Sequence, residues 1–248
     1  MADGGQAVEH RVRCQPPTRT PDGKQRLVFN IDGKPKAVVL RIEGLTRALV
    51  SELPDWSLDL LEIAALVYGI DSAVSRGGST LRQMGKAWYR RFDVEVPVRC
   101  LDLWLQASAK ETLEQTLMAL SDDRFHFSFV PSDAVPAAAP WFKFGSEDGW
   151  RADRVIMFSG GLDSLSGALE EMVAHGNRVA LVSHFSSTKI SKVQKDLVRD
   201  LRRLLGEGQF RHLRVQIQLG KGSNREGTHR TRSFLFAVLG LITATAFS

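Results

Sequence analysis

The sequence predicts an α/β protein in two parts, an N-terminal α+β segment over residues 1–130 and a parallel-sheet segment over residues 151–248. Three observations carry that expectation. From residue 154 onward, short apolar runs alternate with stretches of helical periodicity, the pattern of β-α units joined by right-handed crossovers. Before residue 130 the strand-like runs alternate with period two, as in Phe92, Val94, Val96, Val98 and again Phe125, Phe127, Phe129. Between the parts, Pro131-Ser-Asp-Ala-Val-Pro136-Ala-Ala-Ala-Pro140 has no periodicity and a proline-rich composition, so residues 131–150 read as a linker.

Residues 1–25 are polar and contain Pro16, Pro17 and Pro21, an irregular lead-in with a first strand at 8–14. Runs 26–31 and 36–42 form a hairpin, because Asp32-Gly33 suits a tight two-residue turn. Leu60, Leu61, Ala64, Val67 and Tyr68 recur at helical spacing and predict a helix over 58–75. A strand follows at 88–100, placed at a sheet edge because Pro97 cannot donate to a ladder. A helix at 108–120 and a strand at 124–130 complete the first part, and residues 141–150 pack back onto one part through their aromatics. The second part reads as strand 154–158, helix 165–175, strand 179–184, helix 189–205, strand 213–219 and helix 231–247. Gly176-Asn177 and Gly206 act as helix stops. Three parallel strands make a thin sheet, and the pattern ends inside a helix. The sequence thus predicts a domain truncated at its C-terminus, completed by further chain or by another chain.

Composition narrows the class. An apolar fraction of 43% and a charged fraction of 25% over 248 residues suit globular parts with their own cores. The only cysteines, Cys14 and Cys100, supply neither a four-ligand zinc site nor a disulfide framework. The first residues lack a basic and apolar leader, and the apolar run 234–247 is too short to span a bilayer. A cytoplasmic protein with no membrane partner is expected. The net charge of +5 is concentrated in 186–232, which holds twelve Lys/Arg against four Asp/Glu. Phe210 is the one aromatic there, a poor platform for base stacking. A basic surface facing solvent or a triphosphate is therefore favoured over one that binds nucleic acid. A second basic group, Arg76, Arg82, Lys86, Arg90 and Arg91, lies beside Trp88 and Tyr89. It reads as a solvated face, with a docking surface for nucleic acid or a partner as the alternative.

The stretch that points to chemistry is Ser159-Gly160-Gly161-Leu162-Asp163-Ser164, set between an apolar strand and a helix. A strand, a glycine turn and a helix start make an anion cradle, since the turn's backbone N–H groups face outward and the helix dipole favours negative charge. The order of residues fits neither a Walker loop, which needs Lys before Ser or Thr, nor a Rossmann fingerprint. Ser159 and Ser164 add hydroxyls, and Asp163 is placed to hold a Mg²⁺ that shares the phosphate charge. Arg230 and Arg232 precede the last helix, where guanidinium groups oppose the dipole unless an anion is bound. Arg232 is the stronger candidate for phosphate.

Ser-Gly-Gly-Leu-Asp-Ser resembles the pyrophosphate loop (PP-loop) of the ATP pyrophosphatase superfamily, whose members adenylate a substrate and release pyrophosphate. The resemblance implies that Ser159, Gly160, Gly161, Leu162, Asp163 and Ser164 hold the pyrophosphate of ATP. It also places Ser183, His184 and Phe185 near the adenosine, although His184 also reads as an ordinary strand-end histidine. Leu181-Val-Ser-His184, Lys189, Gln194 to Leu197 and Arg232-Ser-Phe-Leu-Phe236 are similar to the QueC-like (7-cyano-7-deazaguanine synthase) branch, in particular its divergent members in bacterial antiphage defence operons, which carry an extra N-terminal domain. That likeness is weak over residues 1–130. It implies a Mg²⁺- and ATP-dependent ligase in which Asp163, Ser164 and Arg232 serve catalysis on a deazaguanine-like carboxylate, with a protein partner from the same system as a further expectation. The branch's four-cysteine zinc site has no counterpart here, so zinc would belong to residues beyond Ser248. The other readings are a nucleotide-binding module without catalysis and a tRNA-modifying enzyme of the same superfamily. The latter is weaker, because neither cysteine lies in the second part.

Overall fold

The computed structural model describes residues 8–19, 25–43, 53–76, 89–132, 142–143, 149–184, 188–220 and 225–247. Its strands are β1 (Val8–Cys14), β2 (Thr18–Arg19), β3 (Gln25–Ile31), β4 (Lys34–Glu43), β5 (Arg90–Val98), β6 (Arg124–Pro131), β7 (Phe142–Lys143), β8 (Arg154–Met157), β9 (Val179–His184) and β10 (Phe210–Leu219). Its helices are α1 (Asp55–Ala73), α2 (Leu101–Trp104), α3 (Ala107–Ser121), α4 (Leu162–Leu169), α5 (Thr188–Leu205) and α6 (Arg232–Phe247). The chain is α/β, and its strands form a single mixed sheet in the order β6-β5-β1-β3-β4-β10-β9-β8, with β2 on β3 and β7 on β4.

The thin three-stranded sheet expected from the sequence is not what forms. β10, β9 and β8 are parallel as predicted, but β10 also pairs antiparallel with β4, from Arg214 opposite Glu43 to Leu219 opposite Val38. The strands on both sides of residues 131–150 therefore belong to the same sheet. The proline-rich stretch over 133–140 lies outside the described residues, as do Arg82, Lys86, Trp88, Trp141 and Phe185.

Side-chain alternation sorts the sheet into two faces. On one face Val12, Phe29, Leu40, Val94, Phe127, Val182 and Leu213 form a core with α1, α3 and α6. On the other, Phe158, Val179, Leu181 and Phe210 pack against Ala168 and Met172 near the loop and Val198 and Leu201 of α5. α1 is buried along almost its whole length, and at Gly69 a Cβ would stand 3.0 Å from the Phe29 ring. Only a residue without a side chain lets the helix lie that close. Where no described helix covers the second face, cross-strand neighbours carry opposite charges: Glu9 faces Arg91, Arg11 faces Asp93 and Arg13 faces Glu95. Such pairs suit an open sheet face.

Three local expectations are corrected. β5 is an interior strand, paired with β1 on one side and β6 on the other. Pro97 is tolerated because the β1 pairing ends at Arg13 opposite Glu95, two residues earlier. The helix expected over 165–175 is α4, started earlier at Leu162 and continued by a π turn over Glu170–Ala174, with the His175 N–H reaching the Glu170 carbonyl at 3.2 Å. Third, the basic group near Tyr89 is solvated only in part: Arg91 is exposed, but two of its arginines are not. Arg90 is 1% exposed and Arg76 is buried with it.

Both guanidinium groups clamp Asp123. Arg90 reaches its two oxygens from Nε (3.1 Å) and Nη2 (2.5 Å), and Arg76 does so from Nη1 (2.9 Å) and Nη2 (2.6 Å). Asp71, at the end of α1, accepts from Arg90 and, at 3.2 Å, from Arg76. Burial is the largest single influence and works against the Asp71 carboxylate, but Arg90, the Thr231 N–H and Arg76 together outweigh it and hold the group below the ordinary carboxylate range. Asp59 and Glu62 bind Arg99 in a second buried group, joining α1 to the end of β5. Removing one member of such a cluster leaves an uncompensated buried charge, so Asp123→Ala is expected to cost about 3–5 kcal/mol of stability. Urea denaturation of the variant against the parent chain measures it.

Candidate functional site

The parallel strands β8 and β9 end side by side, Met157 opposite Val182, and the Phe158 N–H continues the ladder to the Val182 carbonyl at 2.7 Å. The chain then turns. Gly160 adopts φ +86°, a conformation that an L side chain enters only at a cost, and a Cβ there would stand 3.2 Å from Gln194 Cγ. The Gly161 N–H donates to Ser159 Oγ (3.1 Å), Ser164 Oγ donates to the Gly161 carbonyl (3.0 Å), and the two serine hydroxyls lie 3.1 Å apart. These bonds fix the turn from inside. Leu162, Asp163 and Ser164 open α4, so their N–H groups have no intrahelical acceptor and stand at the positive end of its dipole. Asp163 is exposed beside them, and Leu162 is 77% exposed.

A cavity of about 200 Å³ lies next to the turn, lined by Met157, Phe158, Ser159, Val182, His184, Ile190, Gln194, Arg232 and Phe236. Its walls are mostly apolar, with Arg232 as its cation and no carboxylate among the lining residues. Arg232 is the first residue of α6, and its guanidinium sits 6.0 Å from the centre of the Phe236 ring. The His184 ring is 5.1 Å from the same phenyl ring, and its Nε2 is buried with no hydrogen-bond partner among the described residues. Burial pushes the imidazole down to about 4, and Arg232 adds to the effect. A neutral ring with an unmatched polar atom at a cavity wall is set up for a ligand or a water.

The structure separates the expected site residues. Ser159, Gly160, Gly161, Leu162, Asp163 and Ser164 are together on the turn, and His184 and Arg232 join Ser159 at the cavity. Ser183 does not join them. It is 1% exposed, donates to the Phe158 carbonyl at 2.7 Å and contacts His212 Nε2 at 2.8 Å, on the sheet face opposite His184. Arg230 is also engaged elsewhere, on Asp122 at 2.7 Å and on the Ser121 carbonyl at 3.2 Å.

Sequence reasoning named Gln194 only within a family-like stretch and gave no role to the residue that ties the site together. Gln194 of α5 is 2% exposed, and its Nε2 donates to the carbonyls of Ser159 and His184, both at 3.1 Å. One amide thereby satisfies the ends of both strands and holds the turn against α5. Nothing in the local sequence distinguishes it from a polar residue on an amphipathic helix. Asp163 and the serine hydroxyls are a hard oxygen donor set that suits Mg²⁺ when phosphate oxygens complete the shell. Among the described residues no group of three His, Cys, Asp or Glu comes together to hold a metal by itself. No described helix is long and apolar enough to cross a membrane. Comparison of the chain with protein-family models, with curated proteins and with solved structures gives no match.

Two outcomes follow from this geometry. Gly160→Ala forces a left-handed backbone onto a residue with a Cβ and crowds Gln194, which is expected to cost about 1–2 kcal/mol, measurable as a lower denaturation midpoint. The second concerns pH. Burial, with Arg214 and Arg202, pushes His212 down to about 4, so between roughly pH 6.5 and 4 the unfolded chain binds protons at His184 and His212 that the folded one does not. The stability linked to these two histidines is therefore present above about pH 6.5 and is lost as pH drops towards 4. His212→Gln is expected to make that fall shallower in denaturation curves taken at successive pH values.

Proposed function

We propose that the chain binds ATP with Mg²⁺ and is an ATP-dependent adenylating enzyme of the PP-loop superfamily, close to its QueC-like branch. The observation that carries this reading is the juxtaposition of the Ser159–Ser164 turn, with its outward N–H groups, and a cavity closed by Arg232. The polyphosphate would lie over the turn and the start of α4, the base in the apolar part of the cavity against Val182 and Phe236. At about 200 Å³ the cavity is smaller than the ~300–1,000 Å³ of pockets that enclose a whole ligand. It suits one end of a nucleotide, with the rest laid across the turn.

In the reaction, a carboxylate oxygen of the substrate attacks the α-phosphorus of ATP, and the bond to the bridging oxygen breaks. Pyrophosphate leaves with that electron pair. An amine then attacks the acyl carbon, AMP departs with its electron pair, and the nitrogen loses a proton. The N–H groups of Leu162, Asp163 and Ser164 and the Arg232 guanidinium stand where charge accumulates on the departing pyrophosphate, the interaction of most value to such a step. Mg²⁺, held by Asp163 together with phosphate oxygens, would neutralise the same charge. The sequence likeness proposes a deazaguanine-like carboxylate as substrate and antiphage defence, with a partner protein, as the setting. One observation favours a second reading, a nucleotide-binding module without turnover: among the described residues no carboxylate lines the cavity to take the amine's proton.

Pyrophosphate release from ATP, with Mg²⁺ and 7-carboxy-7-deazaguanine, is the test. Release that needs the acid and falls about 100-fold or more in Asp163→Asn, as when a preorganised transition-state contact is removed, is the expected result. ATP binding with no release for any acid or amine tried selects the module.

A further inference from the structure

We propose that Thr231 is a positioning residue, held by Asp71 of α1, that aims Arg232 at the cavity, so that the buried ionic cluster beneath the N-terminal strands sets the affinity of the site for polyphosphate. The proposal rests on the nucleotide-binding reading. Asp71 Oδ2 accepts both the backbone N–H of Thr231 (3.1 Å) and its hydroxyl (3.0 Å). Thr231 is fully buried and immediately precedes α6. The helix start is thus capped by a carboxylate borrowed from another helix. That negative charge at the N-terminus offsets the cost of placing an arginine at the first helical position.

The residues before Thr231 are tied to the same region. The N–H groups of Arg225 and Glu226 donate to the Ser72 carbonyl at 2.7 and 3.0 Å. Glu226 accepts from the Arg76 N–H at 2.8 Å. His229, at φ +43°, contacts Ser72 Oγ through Nδ1 at 3.1 Å, and its carbonyl accepts the Arg232 N–H at 3.0 Å. With Arg230 drawn away to Asp122, Arg232 is the guanidinium of this segment that faces the cavity. Its Cα–Cβ direction is set by α1 and by the turn between α3 and β6, not by the phosphate turn. Small displacements of a charged group cost much of its effect on a bound ion, which is why such a root would matter.

The test is a double-mutant cycle on ATP affinity, measured calorimetrically with Mg²⁺ on the full chain. Arg232→Ala is expected to weaken binding about 10–100-fold, the range for a hydrogen bond to a charged group. Thr231→Val, which removes the hydroxyl and little volume, is expected to weaken it by roughly 3–10-fold through the misplaced guanidinium, whereas Thr231→Ser binds as the parent does. The decisive result is the double variant: if Thr231 acts through Arg232, Thr231→Val adds nothing in the Arg232→Ala background. An equal loss in both backgrounds, or no loss in either, overturns the proposal.

If the parent chain binds no ATP, the nucleotide reading falls, and the positioning role is decided by NMR. The Arg232 Nε–Hε resonance, assigned by its loss in Arg232→Ala and shifted by the Phe236 ring, is expected to move to the position of freely exposed arginines in Thr231→Val. An unmoved resonance overturns the role. Should Thr231→Val not fold, Thr231→Ala replaces it in both measurements, since it also removes the hydroxyl bond to Asp71 and keeps the backbone one.

Discussion

Asp71 and Asp123 hold two guanidinium groups out of water, and the rest of the molecule is arranged around that constraint. Four charges in a dry interior are tolerable only when each is met by an opposite charge. Meeting that demand fixes five pieces of chain at once: the end of α1, the start of β5, the turn between α3 and β6, the segment at 225–231 and the beginning of α6. A purely apolar contact would accept many alternative packings there. A bidentate guanidinium–carboxylate pair accepts few.

The sheet converts this local constraint into one architecture. Because β10 pairs with β4, the strands that lead into the Ser159–Ser164 turn and the strands of the N-terminal part twist and pack as one layer. α1 and α6 share one face of it, while α4 and α5 cover the other over β8, β9 and the start of β10. The candidate site lies at the carboxyl ends of β8 and β9, where strand-end carbonyls, helix N-termini and crossover loops converge. Gln194 joins those strand ends, and Phe236 and Arg232 reach them from the opposite face. The cavity is therefore bounded by both layers, and a change in either one is felt in it.

Much of this was legible in the sequence where the signal is local. Asp32 and Gly33 both take positive φ, as the hairpin turn requires. Gly176 and Gly206 end their helices with positive φ, and Gly160 does the same in the turn between β8 and α4. Arg90 is instructive because its signal was present and overridden. It shares strand parity with Phe92, Val94 and Val96, so alternation alone points it inward, yet its charge made it read as surface. The π turn after α4 and the short helix α2 had no comparable local mark.

The sequence by itself determined most of the described strands and helices, the parallel β-α units after residue 154 and the strand–glycine turn–helix form of the Ser159–Ser164 stretch. Each of these depends on backbone preferences and side-chain period within a dozen residues. Only the tertiary structure decided that β10 closes onto β4, that Asp71 rather than a neighbour caps α6, that Gln194 bridges the two strand ends, and that Arg232 reaches the cavity while Arg230 and Ser183 do not. Those outcomes turn on which buried polar groups find partners across 10 to 160 residues of sequence. Matching of that kind is settled by packing in three dimensions, and nothing in the local pattern encodes it.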